Sequence, residues 1–163
     1  MKTFLYLSLF LNLAFSVSAQ KVNPTYKQVS YGPHKDMTLN FWKVEDKKPT
    51  PLLVHIHGWC CLGRKKHETA NANELKKGYS FASIDYRLAG VKLLPAAVHD
   101  AARAIQFLRT KAKKWNFDPN RIAVIGGSAG AASSLWLAYH DDMANPKSDD
   151  PVLRQSSRVC GAV

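Results

Sequence analysis

One short segment of the sequence has the composition of a site that presents a nucleophile. The stretch GGSAG, residues 126–130, fits the pattern G-x-S-x-G, in which small residues surround one serine. The apolar residues 122–125 before it predict a buried strand, and residues 129–139 after it predict a helix. The pattern therefore predicts that Ser128 is an exposed nucleophile and that the Ala129 N–H can bind an oxyanion. A nucleotide-binding turn is the alternative, but the spacing of a G-x-G-x-x-G loop is not met.

A second group of reactive side chains follows another apolar run, residues 52–56. His57-Gly58 comes directly after this run, where a loop could supply a further backbone amide to the oxyanion. Several nearby residues are of metal-binding types: His55, His57, Cys60, Cys61 and His67. Two adjacent cysteines rarely both reach one tetrahedral metal, and the spacing matches no common zinc motif. We therefore expect no metal and no cofactor, and we interpret His55 as a hydrogen-bonded histidine within a strand.

The elements that would position these residues alternate between strands and helices. Residues 26–31 and 37–44 are rich in β-branched and aromatic side chains and flank a turn, so they predict a hairpin. The nearly continuous apolar run 52–56 predicts a strand that is covered on both faces. The polar stretch 65–77 predicts a helix, and residues 79–86 predict the next strand.

The clearest predicted helix begins near Pro95, a residue favoured in the first turn of a helix. Its apolar side chains recur at spacings of three and four, which places them on one face: Val98, Ala101, Ile105, Leu108, Ala112 and Trp115. After the strand and helix that flank Ser128, residues 158–163 open a further strand. The sequence thus predicts an α/β fold, with a mostly parallel sheet and helices on both faces.

The amino terminus and the composition set the class of protein. An apolar run, residues 4–17, is followed by small residues at positions 17–19, the pattern at which signal peptides are cleaved. The run is shorter than the roughly 18–20 residues of a membrane span. We therefore predict a signal peptide over residues 1–19, one domain over residues 20–163, and a secreted or periplasmic protein without a membrane span. The net charge of +11 comes from scattered basic residues with no nucleic-acid motif, so we expect no nucleic-acid partner.

Four segments in this order resemble one protein family: VHIHGWCCLGRKK, SIDYRL, LPAAVHDAARAIQFLR and DPNRIAVIGGSAG. From about Leu39 to Val163 the chain is similar to the secreted α/β-hydrolase esterases related to hormone-sensitive lipase and to bacterial acetylxylan and feruloyl esterases. The resemblance implies an α/β-hydrolase fold and a small-molecule or polysaccharide-linked ester as the substrate. Within the second segment, Asp85-Tyr86-Arg87 looks like the family's structural turn.

The resemblance also implies roles for the residues at which the motifs match. Ser128 matches the nucleophile and Ala129 the amide that follows it, while His57-Gly58 matches the start of the family's His-Gly-Gly-Gly loop. Trp59 stands where a further glycine is expected, and the loop is one residue shorter. By resemblance, Gly58 and the backbone N–H of Trp59 complete the oxyanion hole with Ala129, and His57 orients the loop.

The sequence offers no general base for Ser128. In the family the triad follows the order serine, acid, histidine, so both partners are expected after Ser128. The only histidine there, His140, follows a predicted helix and lies roughly 18 Å away at a rise of about 1.5 Å per residue. A general base must come within about 3 Å, and the aspartates between residues 141 and 150 are interpreted as part of a solvated connection.

Two functions of different class fit these observations. The first is a serine carboxylesterase of which this chain is the N-terminal part, with little or no activity by itself. The second is a non-catalytic α/β-hydrolase-like protein that binds a ligand or a partner, or an inactive gene fragment.

Overall fold

The computed structural model describes residues 20–58, 65–88, 90–92 and 94–163. Its elements, in chain order, are β1 (Lys21–Val22), β2 (Tyr26–Ser30), β3 (Thr38–Trp42), β4 (Thr50–Ile56), β5 (Ala70–Asn71), α1 (Ala72–Leu75), β6 (Ser80–Ile84), α2 (Ala96–Trp115), β7 (Phe117–Gly126), α3 (Ala129–Tyr139) and β8 (Gly161–Ala162). The predicted signal peptide and Trp59 lie outside the described residues. In the part that is described, no helix has the length and hydropathy needed to cross a bilayer.

Six strands form one sheet in the order β2-β3-β6-β4-β7-β8. β2 and β3 make the predicted antiparallel hairpin, and β3 is also antiparallel to β6. The remaining pairs, β6 with β4, β4 with β7 and β7 with β8, are all parallel. The carboxyl ends of β4, β6 and β7 therefore lie side by side, which is where α/β sheets bind their ligands. The predicted α/β fold with a mostly parallel sheet is confirmed.

The long helix α2 and the helix α3 pack on the same face of the sheet. α2 begins at Ala96, after Pro95, and is capped after Trp115 by Asn116, whose backbone is left-handed and whose N–H bonds to the Ala112 carbonyl. The predicted apolar stripe faces the sheet and is buried from Ala101 to Trp115. The strand residues that meet it are fully or almost fully buried: Leu52, Val54, Ile56, Ala82, Ile84, Ile122 and Val124.

The opposite face of the sheet is covered more thinly by the described residues. Leu53 and Phe81 on this face are only half-buried, and Leu75 of α1 packs near them. The predicted helix over 65–77 is wrong, because only the single turn of α1 is helical and β5 instead pairs with β1. Leu75 is the one large apolar side chain in that stretch, so a longer helix would have had no apolar face to pack on the sheet.

The segment between α3 and β8, which was predicted to be a solvated connection, is tied to α2. The side-chain amide of Gln106, buried on α2, donates to the carbonyls of Met143, Leu153 and Gln155 at 3.3, 3.4 and 2.8 Å. Within the segment, Asp142 accepts a hydrogen bond from the Ser157 N–H at 2.8 Å. These bonds fix the path by which the chain returns to the sheet edge at β8.

Candidate active site

Ser128 occupies the sharp turn between β7 and α3. Its backbone has φ 56° and ψ −120°, and residues other than glycine adopt such a positive φ rarely and at a cost. The residue is exposed, and α3 begins at the next residue, Ala129. The Ala129 N–H, at the start of α3, therefore lies beside the serine, in the arrangement that the G-x-S-x-G pattern predicts, while the Gly130 N–H donates to the Gly127 carbonyl at 3.0 Å.

Two glycines let this turn lie directly against the end of β4. A Cβ atom at Gly130 would lie 2.0 Å from the Ile56 carbonyl oxygen, and one at Gly126 would lie 2.6 Å from the same oxygen. Both distances are below the 3.0 Å that real Cβ atoms respect. The outer glycines of the pattern are therefore required by close backbone approach.

The predicted oxyanion loop starts next to the turn. A Cβ atom at Gly58 would lie 2.6 Å from the Gly127 carbonyl oxygen and 3.4 Å from the Ser128 Cβ. A cavity of about 670 Å³ opens at this place, and its described lining comprises His55, His57, Gly58, Lys65, His67, Gly127 and Ser128. The structure thus brings Gly58 and His57 to the nucleophile, while the assignment of Trp59 to the oxyanion hole stays a prediction.

His57 is buried beneath the start of this loop. Its Nδ1 lies 2.9 Å from the Gly58 carbonyl oxygen, and Nδ1 must be the donor because a carbonyl can only accept. The ring stacks on Tyr86 with centroids 4.5 Å apart, and the Tyr86 hydroxyl donates to the His57 carbonyl at 2.8 Å. The other nitrogen, Nε2, is 3.6 Å from Asp85 Oδ1. Because both ring nitrogens face other groups, His57 is not placed to take a proton from Ser128.

The other histidines near the sequence motifs are engaged elsewhere. His55 Nδ1 lies 3.2 Å from Ser83 Oγ, as expected for a hydrogen-bonded strand histidine. His140 follows the last residue of α3, at the far end of the helix from Ser128, and stacks on Trp136. Within the described part of the chain, no hydrogen bond reaches the Ser128 hydroxyl.

The described residues contain no group of three or more His, Cys, Asp or Glu side chains that is placed to hold a metal ion. Cys60 and Cys61, two of the residues considered above as zinc ligands, lie outside the described residues.

A second cavity, of about 300 Å³, adjoins the first turns of α3. It is lined by Tyr86, Lys92, Leu94, Ala97, Val98, Ala129, Ala132, Ser133 and Trp136. The hydroxyl of Tyr86 is engaged with the His57 carbonyl, and that of Ser133 donates to the Ala129 carbonyl at 3.0 Å. Apart from Lys92, the cavity therefore offers an apolar wall that begins at the residue after the nucleophile.

Comparison with known proteins assigns this architecture to a family. Residues 40–159, most of the chain, match the family model BD-FAE. The chain belongs to the BD-FAE family. This BD-FAE chain is 34% identical over 96 residues to carboxylesterase NlhH of Mycobacterium tuberculosis, an alignment that covers 58% of this chain and 30% of that protein.

Solved structures of a hydrolase and of a carbohydrate esterase share the fold of the BD-FAE chain. An acetyl ester-xyloside bifunctional hydrolase from Caldicellulosiruptor lactoaceticus is 31% identical, with a TM-score of 0.64 over 77% of this chain and 46% of that chain. The truncated form of a carbohydrate esterase from gut microbiota shares the fold, with 23% identity, a TM-score of 0.70 and coverage of 84% and 54%. The chain spans roughly a third of the length of the curated relatives it matches and about half that of these structures.

The BD-FAE chain also places near His57 two residues that sequence analysis did not assign to the site. Asp85, interpreted as part of a structural turn, touches the imidazole, and Lys66 binds Asp85. The available signal was positional, because His57 and Asp85 both directly follow strands that proved to be neighbours. Lys66 gave no comparable signal, since it lies in the polar stretch that was predicted to be helical.

Proposed function

We propose that the BD-FAE chain carries the nucleophile and the oxyanion-binding part of a carboxylic ester hydrolase. The observation that carries this proposal is the strained, exposed Ser128 at the amino terminus of α3. Backbone strain of this kind persists where the surrounding structure enforces it, and here the close contact of Gly126 and Gly130 with β4 does so. The matched family and the named esterase relatives support the same reaction.

In the proposed reaction, Ser128 Oγ attacks the carbonyl carbon of the ester while a general base takes the hydroxyl proton. The carbonyl oxygen becomes an oxyanion, which accepts hydrogen bonds from the Ala129 N–H and from the loop that starts at Gly58, with the Trp59 N–H as its second donor. Collapse of this intermediate releases the alcohol and leaves an acyl-serine, which water then cleaves to the acid.

The proposed base and acid are not among the described residues. No described histidine nitrogen is hydrogen-bonded to the Ser128 hydroxyl, and both ring nitrogens of His57 face other groups. We therefore expect the 163-residue chain to turn over esters slowly or not at all.

The two cavities support a proposal about the substrate. Among the described residues that line the larger cavity beside Ser128, the ionisable side chains are histidines and a lysine, which suits a polar alcohol such as a sugar. The smaller cavity behind Ala129 is mostly apolar, which suits a short acyl group. We propose an ester of a small molecule or of a polysaccharide, in line with the carbohydrate-directed names of the related structures. We further propose export through residues 1–19, and no cofactor is required for this reaction.

The test supplies a general base from solution. The 163-residue chain is incubated with p-nitrophenyl acetate, with and without added imidazole, and acetylation of Ser128 is followed by peptide mass spectrometry. We expect Ser128 to become acetylated, faster with imidazole, because the base can then take the hydroxyl proton. Gly127→Ala, a change beside the serine that meets no neighbouring atom, is the matched control for Ser128→Ala.

Acetylation that spreads over lysines and is unchanged in Ser128→Ala would refute the nucleophile assignment. That result would favour the second function, a non-catalytic binding protein or an inactive fragment.

A further inference from the structure

Lys66 and Asp85 form an ion pair beneath the start of the oxyanion loop. Lys66 Nζ is 2.5 Å from Asp85 Oδ2, and the Lys66 backbone N–H donates to Oδ1 at 2.5 Å. The lysine side chain is only 2% exposed and that of Asp85 14%. Lys66 Nζ also donates to Thr38 Oγ1 at 3.0 Å. Since a buried charge is costly without its partner, each member of this pair depends on the other.

The Asp85 carboxylate of this pair lies next to the Nε2 edge of the His57 ring. His57 and Asp85 directly follow β4 and β6, which pair Ile56 with Ile84, so the two side chains leave adjacent strand ends. The contact of 3.6 Å between Nε2 and Oδ1 is longer than a hydrogen bond, but it limits how far the ring can move towards β6. Tyr86 covers the ring face, and the Gly58 carbonyl occupies Nδ1.

Gly58 connects the His57 ring to the oxyanion loop, because its carbonyl accepts the hydrogen bond from Nδ1. Because a peptide group is planar, holding the Gly58 carbonyl oxygen fixes the orientation of the whole peptide group to which it belongs. Gly58 in turn lies against the Gly127 carbonyl and near the Ser128 Cβ. A shift of the imidazole would therefore change the distance between the loop and the nucleophile.

We propose that Lys66 and Asp85 are positioning residues for the oxyanion hole: their ion pair holds His57, and His57 holds the peptide at Gly58 beside Ser128. The catalytic meaning of this inference rests on the proposed function. The structural part, that the ion pair holds His57 in position, does not depend on the proposed function.

The experiment uses two measurements on the 163-residue chain. The first is the NMR resonance of the His57 Nδ1 proton, which burial and its bond to Gly58 protect from exchange with solvent. The second is the rate of imidazole-assisted acetylation of Ser128. The variants are Asp85→Asn, Lys66→Met and the charge-conserving Lys66→Arg. Arg87→Met is the matched control, because it breaks another ion pair, with buried Asp100 at 2.6 Å, that does not touch His57.

We expect Asp85→Asn and Lys66→Met to lose the protected Nδ1 resonance and to slow acetylation about tenfold to a hundredfold, the effect of displacing a reacting group by about 1 Å. Lys66→Arg and Arg87→Met should keep both properties. Asp85→Asn preserves the side-chain shape and stays decisive if Lys66→Met does not fold.

The proposal is overturned if Asp85→Asn keeps the protected resonance, or if Arg87→Met loses it equally. If the parent chain shows the resonance but no Ser128 acetylation, the proposed function fails. The resonance then still decides whether the ion pair positions His57.

Discussion

Replacing Gly130 by alanine tests whether the close contact between α3 and β4 holds the nucleophile turn in place. The new Cβ would lie 2.0 Å from the Ile56 carbonyl oxygen and 2.9 Å from that of His57. The helix or the strand must therefore move by about 1 Å before the contact reaches 3.0 Å. The obstructing atoms are backbone, so no side-chain rotation relieves the clash.

Overpacking of this kind costs about 1–3 kcal/mol, and the absence of a flexible neighbour places Gly130→Ala near the upper end. Alanine also lowers the conformational entropy of the unfolded chain, which raises the free energy of unfolding by about 0.4–1 kcal/mol. Gly127→Ala has the same effect on the unfolded chain, but its new Cβ meets no atom within 4 Å. The difference in unfolding free energy between the two variants therefore measures the cost of the clash at Gly130. We expect Gly130→Ala to be less stable than Gly127→Ala by about 2 kcal/mol or more in urea unfolding followed by tryptophan fluorescence. A difference below about 0.5 kcal/mol would show that the contact does not constrain the turn.

Two further predictions concern strain and pH. Ser128→Gly should be more stable than Ser128→Ala by about 1 kcal/mol in the same unfolding assay, because only glycine adopts φ 56° without cost; equal stability would argue against strain at this residue. Burial alone would raise the pKa of Asp142, but hydrogen bonds from Ser156, Ser157 and Ala144 together lower it. A lowered pKa stabilises the fold above the ordinary aspartate value of about 4, and this contribution is lost as the pH falls through the lower pKa of the folded state. Asp142→Asn should therefore flatten the loss of unfolding free energy below about pH 4, and parallel curves for the two proteins would contradict this account.

Much of the fold follows from local pattern in the sequence. Local pattern was enough to predict three elements, because burial and tight turns restrict side-chain size and spacing. These are the apolar stripe of α2, the buried run in β4 and the small residues around Ser128. The stretch 65–77 carries no such pattern, and its short strand β5 depends on pairing with the distant β1. β7 likewise begins at Phe117, before the apolar run that was recognised, because Phe117 pairs with Thr50 on the neighbouring strand.

The site shows the same division. Ser128 and Ala129 could be recognised because the turn that presents them is contiguous in sequence. The contacts of His57 could not, because Asp85 and Tyr86 reach its ring only when β4 and β6 pair, and Lys66 is connected to the ring only through Asp85. The resemblance to the family identified the loop at His57. Only the folded arrangement shows which groups contact its imidazole ring.

Ala129 serves the proposed site in two ways that are physically separate. Its backbone N–H lies at the start of α3 beside the nucleophile, while the same residue lines the apolar cavity. The donor belongs to the main chain, so a change of side chain at this position alters the shape of the cavity without deleting the donor. If the cavity holds the acyl group as proposed, a substitution at this position or one turn further along α3 would change which acyl group fits and would leave the backbone donor beside the serine in place.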